Sequence, residues 1–174
     1  MTHHQYLRRV GILCCHFLRN LAFYCAWYEA GKPSVNKQFW ITVNGNFLDV
    51  AVLEWCKLFG DVRGKHYFGK VVSDAPAFKA QLLASLDVTA IEFDEYINQM
   101  RTYRDKFVAH LDELNEMNIP SLDIGKGSAV FLYEYLLAHE AEGNTFHDAP
   151  ASAEAFYEDF LAQGKAEYAA RRVQ

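Results

Sequence analysis

Residues 89–115 read "TAIEFDEYINQMRTYRDKFVAHLDELN", and their pattern decides the fold class. Thr89-Ala90-Ile91-Glu92 has the Thr-x-x-Glu form of a capping box, which opens a helix by satisfying its first free N–H groups. With Met100 set at zero on a wheel of ~100° per residue, Phe93, Ile97, Met100, Phe107, Leu111 and Leu114 fall within about 60° of one line. Tyr96 and Tyr103 lie at the edges of that stripe. This is the period of an amphipathic helix packed on a core, predicted to run to about residue 115, ahead of Pro120. One residue breaks the stripe. Arg104 falls inside it, at about +40°, and His110 falls on its far shoulder, near −80° on the same wheel.

The same period recurs along the chain. A first helix is predicted over about 4–29, stopping at Gly31-Lys32-Pro33-Ser34. A second covers about 36–59, with Gly60 at its end. Between 61 and 74 lies a loop, "DVRGKHYFGKVVSD". A short third helix starts at Asp74 or Ala75, with Pro76 in its first turn, where proline is favoured. A fifth helix spans about 123–142 and ends at Gly143. The last begins near Ala151 or Ser152 and runs to Arg171-Arg172. Strand signals are nearly absent: no alternating β-branched run occurs, and Gly45, inside the second helix, reads as a tolerated glycine or a point of close packing. The expected fold is therefore all-α, one domain over 1–174, an antiparallel bundle of five to six helices.

Composition agrees and excludes several functions. A chain of 174 residues can bury roughly 70% of its unfolded surface. Apolar residues make up 51% and charged residues 22%, a globular balance. Aromatics reach 15%, a surplus that suits an interface as well as a core. The net charge of −5 argues against coating nucleic acid by bulk charge. Cys14, Cys15, Cys25 and Cys56 form no C-x-x-C pair and read as buried free thiols of a reducing compartment. The run "VGILCCHFL" after Arg8-Arg9 is cut short by Arg19-Asn20 and lacks a small-residue cleavage site, so it is not read as a signal peptide. No apolar run reaches the ~18 residues of a membrane span. A cytoplasmic protein with no membrane contact is expected.

Arg104 then needs an explanation, because a charge on an apolar face is costly unless it is paired. It either snorkels to a carboxylate on another helix, such as Glu134 or Glu140, or its face meets something other than core. Arg104 and His110 stand ~120° apart around the helix and ~9 Å along it, too far to act on one atom from one helix. A site would need two copies of this helix, each supplying an Arg and a His.

The residues that carry this problem also carry a resemblance. "RDKFVAH" fits the Arg-(Asn/Asp/His)-x(3–5)-His signature of HEPN domains, and "RDKFVAHLD" is similar to the R-(N/D)-K-x-x-A-H-x-D form of the abortive-infection subgroup. "LEWCKLFGD", at the end of the second helix, is similar to a segment of that subgroup. The resemblance spans roughly residues 5–145. It implies an all-α bundle that pairs as a homodimer, whose active members form a composite, metal-independent endoribonuclease site. Arg104 is then the motif arginine, Asp105 the polar residue after it, and His110 the motif histidine, with Arg101, Lys106 and Asp112 beside them toward RNA. It further implies a phage-defence or toxin role with a cognate antitoxin, or, in members without activity, a dimer that holds RNA, a nucleotide or a protein. The chemistry suits these residue types: attack by a 2′-OH needs a base near neutral pKa, which His supplies, and a cation for the charge developing on phosphate, which Arg supplies in bidentate fashion. No metal and no cofactor is required. Asp105 stands where Asn is commoner, and an anion beside Arg104 weakens its grip on phosphate.

Other stretches carry less. His66-Tyr67-Phe68 either anchors the 61–74 loop or stacks on a base, with anchoring favoured. Trp27, Trp40 and Trp55 read as core at their helical spacing. Asp49 and Glu54 do not share a face. No P-loop, dinucleotide fingerprint or nucleophile elbow occurs.

Overall fold

The computed structural model describes residues 2–109 and 118–171. Within them lie six α-helices: α1 (His3–Ala26), α2 (Gln38–Trp55), α3 (Ala75–Leu86), α4 (Ala90–Tyr103), α5 (Leu122–Tyr135) and α6 (Ala153–Arg171). The only strands among these residues are β1 (Tyr28–Glu29) and β2 (Lys32–Pro33), a two-residue antiparallel pair. The fold is an all-α helical bundle.

Local chemistry sets several helix starts. The Thr89–Glu92 capping box opens α4: Glu92 N–H donates to Thr89 Oγ1 at 3.2 Å and Thr89 N–H to Glu92 Oε2 at 2.7 Å. Asp74 caps α3 by accepting from Ala77 N–H at 2.9 Å, with Pro76 in the first turn. A second capping box, Thr2 with Gln5, starts α1. The first helix is shorter than the pattern suggested. It stops at Ala26 because the chain folds back through Ala30 and Gly31, both at positive φ (49° and 74°). Two consecutive positive φ values make the tight hairpin turn whose twist matches an antiparallel pair, and alanine disguised it.

α1 is the central helix and packs against α2, α5 and α6. α6 comes close to it at Gly164, where an added Cβ would lie 2.6 Å from Ala26 Cβ. Gly45 is the opposite case: a Cβ there would meet nothing within 4 Å, so it is a tolerated glycine and not a packing point.

Much of the aromatic surplus is spent inside. Trp55 is fully buried, stacks on Phe59 at 5.1 Å and meets Tyr96 edge-on at 5.1 Å. Phe59 touches Phe68, Phe68 touches Phe78, and Phe78 meets Tyr135. This chain of rings links α2, the 61–74 loop, α3 and α5. Loop anchoring by Phe68, 5% exposed, is therefore what the structure shows. Trp55 Nε1 donates to Ser128 Oγ at 2.8 Å, and Ser128 in turn donates to Gly125 O at 2.9 Å, so the indole also finds its polar partner on α5.

Gly125 makes that junction possible. A Cβ there would stand 2.7 Å from Tyr96 Oη and 3.4 Å from Phe17 Cζ, both in buried side chains. Gly125→Ala is expected to cost about 1–3 kcal/mol, the usual scale of overpacking. An unchanged urea midpoint would contradict the tight seating of Tyr96 against α5.

The four cysteines are free. Burial pushes the Cys15 thiol up to about 11 and Cys56 to about 12, and raises Cys14 and Cys25 as well. Against an ordinary value of 9.0, Cys15 holds on the order of 10²-fold less thiolate at pH 8, and the thiolate is the reactive form. The native protein should therefore react slowly with Ellman's reagent and release four thiols once unfolded without reductant. A fast native burst, or fewer than four thiols after unfolding, would contradict the buried, reduced assignment.

Candidate functional site

Arg104 is where α4 changes character. Past Tyr103 the helix continues as a π-helical segment, Arg104–Ala109. Its hydrogen bonds span i→i+5, so each residue turns less than the regular wheel assumes. The angular positions expected for residues after Tyr103 therefore do not hold. α2 ends in the same way, in a π turn over Cys56–Gly60 that Asp61 closes by donating its N–H to Cys56 O at 2.8 Å. π turns are rare and occur often at functional sites, and here the residue that closes one is bonded to the residue that opens the other.

The bond between them is made by Arg104. Its Nη1 donates to Asp61 Oδ1 at 2.7 Å and its Nε to Asp105 Oδ1 at 2.8 Å. The Arg104 side chain is 16% exposed, Asp61 38% and Asp105 51%. Arg104 therefore sits half under the surface with both partners open to water. The hydrogen bond to Asp105 holds the guanidinium above its usual pKa; partial desolvation works against it, and the bond to Asp61 adds to it. Two of the five guanidinium donors are engaged by these bonds.

This corrects the expected pairing. Glu140 accepts instead from Ser73 N–H and Oγ, at 2.8 and 2.6 Å, and Glu134 accepts from Ala153 N–H at 2.7 Å. Asp61 is 43 positions from Arg104, and no periodicity links the two. The one available signal was that Asp61 closes "LEWCKLFGD", the second stretch that carries the resemblance.

The other singled-out residues divide. Arg101 is exposed one turn before Arg104, its stem lying over Gly60, where a Cβ would stand 3.2 Å from Arg101 Cγ. Lys106 lies half-buried in the π segment. His110 and Asp112 fall outside the described residues. Of the loop cations, Lys70 donates to the Arg63 carbonyl at 3.1 Å. A neighbouring contact that sequence did not suggest joins α4 to α2: Tyr103 Oη donates to Asp49 Oδ1 at 3.0 Å, and burial followed by the Asp49 charge raises the phenol's pKa.

Chemically, the arrangement offers a guanidinium fixed in place by two carboxylates at the meeting of two distorted helix ends. Its unused donors can bind an oxyanion, though against the negative charge already beside them. No helix among the described residues is long and apolar enough to cross a membrane. Comparison with known proteins finds no match among family models, curated proteins or solved structures.

Proposed function

We propose that this chain is a HEPN-type, metal-independent endoribonuclease, a phage-defence or toxin component whose active site is completed by a second copy. The observation that carries this reading is the 2.7 Å bond from Arg104 to Asp61. It joins the two stretches whose sequence resembles the abortive-infection subgroup, "RDKFVAHLD" and "LEWCKLFGD", although they are far apart in the chain. In this reading Asp61 and Asp105 orient Arg104, and Arg104 takes the scissile phosphate. His110 takes part in moving the 2′-OH proton as O2′ bonds to phosphorus and the P–O5′ bond breaks, the departing 5′-oxygen leaving protonated. Arg101, Lys106 and Asp112 border the strand. An antitoxin that covers Arg104 is the corresponding partner.

A second reading has its own observation. Two carboxylates on one arginine offset much of its attraction for phosphate, which favours a dimer of the same fold that binds RNA, a nucleotide or a protein without cutting it. Both readings need two copies. Light scattering at tens of micromolar should give about twice the 19.9 kDa of the chain, and a monomer there would remove the composite site.

A further inference from the structure

We infer that the groove beside Arg104 is a ribonucleotide subsite, with the base against Tyr67 and the phosphate on Arg101. The groove has a volume of about 280 Å³ and lies between the end of α2, the 61–74 loop and α4. That is close to the lower limit of small-ligand pockets, about 300 Å³, and suits one nucleotide better than a larger ligand. It rests on the nuclease reading only in naming RNA as the strand that supplies the nucleotide.

Three features of the groove point to this ligand. Tyr67 lines it and is held from two sides. Its ring centroid is 4.5 Å from that of the anchored Phe68, and a Cβ on Gly69 would stand 2.7 Å from its Cε1. A ring fixed in advance is a stacking platform with little ordering entropy left to lose. Arg101 also lines the groove, and it makes no hydrogen bond or ion pair among the described residues. The only other cation on the wall among the described residues, Lys79, is already paired with Asp94 at 3.2 Å. Among the described residues the groove wall thus holds one uncompensated positive charge, and a guanidinium matches phosphate in bidentate geometry. Asn98, exposed on the same wall, carries both a donor and an acceptor for a base edge.

The groove's position fits a strand that continues to Arg104. Gly60 forms part of its lining and is followed directly by Asp61, the partner of Arg104. Arg101 precedes Arg104 by one turn of helix. A nucleotide seated against Tyr67 and Arg101 therefore leaves its neighbour in the strand beside Arg104.

The test uses the isotopically labelled protein and follows the backbone amides of Gly60 and Gly69 and the Asn98 side-chain amide by NMR. The probes are the four ribonucleoside 5′-monophosphates, inorganic phosphate, and a 2′-O-methyl hexaribonucleotide, which has no attacking hydroxyl. Saturable shifts are expected with at least one nucleotide and with the hexamer, the latter at lower concentration, and not with phosphate alone. Tyr67→Ala and Arg101→Gln should each weaken binding roughly tenfold, and Tyr67→Phe should retain it, since a phenyl ring still stacks. If Tyr67→Ala fails to fold, the exposed Arg101→Gln and Gly60→Ala, whose methyl would press on the Arg101 stem at 3.2 Å, decide the matter. No shifts from nucleotides or hexamer at millimolar concentration, an equal response to phosphate alone, or indifference to these replacements would overturn the subsite. Shifts in a protein that leaves unmodified RNA intact would keep the subsite and overturn the nuclease. Cleavage without shifts would do the reverse.

Discussion

Alanine at Arg104 or at His110 is expected to lower RNA cleavage by at least ~10²-fold, the usual scale for losing one acid–base or charge-stabilising group. Neither change should unfold the chain. For Arg104 the argument is geometric. Its partners Asp61 and Asp105 are 38% and 51% exposed, so both carboxylates can return to water when the guanidinium is removed. Ion pairs of that kind contribute about 0–1 kcal/mol. Arg104→Lys tests the role further, because an ammonium keeps the charge and loses the fork that addresses two acceptors at once. A melting temperature that collapses in Arg104→Ala, with no cleavage by the parent protein, would instead make the Arg104–Asp61 bond a structural clasp between α2 and α4.

The largest effect on stability is expected at Trp55, which is fully buried against Phe59, Phe93 and Tyr96. Trp55→Ala removes the ring that ties α2 to α4, leaves a cavity, and takes from Ser128 Oγ on α5 the N–H it accepts, though its bond to Gly125 O remains. Large-to-small changes of this kind cost about 3–5 kcal/mol, which in a chain of this size lowers the melting temperature by on the order of 10 °C. Trp55→Phe keeps most of the packing and loses the bond to Ser128, so it should fall between the two. Equal melting temperatures for Trp55→Ala and the parent would contradict the aromatic core described above.

The helices that sequence located well are those whose ends carry their own chemistry. Thr89 with Glu92, and Asp74 with Pro76, announce helix starts because the capping residues lie within one turn of the groups they satisfy. The end of α1 was hidden because the turn at Ala30-Gly31 carries alanine at a positive φ, where asparagine or glycine is the usual signal. The three π turns, at the ends of α2, α4 and α5, have no residue signature at all. An extra residue in a turn leaves composition unchanged and alters only the angular register. For that reason a wheel that placed Met100 correctly in the core could not be carried past Tyr103. The odd position of Arg104 was visible, since an arginine in an apolar stripe stands out. Its partner was not, because Asp61 reaches it through tertiary packing and by no local repeat. The aromatic surplus was counted correctly, but composition does not say whether rings face inward or outward. Phe39, at 68%, is the one strongly exposed aromatic among the described residues.

The most direct test of the central claim is incubation of the purified protein with total RNA in EDTA, next to Arg104→Ala at the same concentration. The proposed chemistry uses the RNA's own 2′-OH, a histidine and an arginine, so chelation should leave cleavage intact and the products should end in 2′,3′-cyclic phosphates. The Arg104→Ala lane should show RNA cut at least ~10²-fold more slowly. Intact RNA in both lanes, or equal cleavage in both, would contradict the assignment of Arg104 to a metal-independent nuclease site.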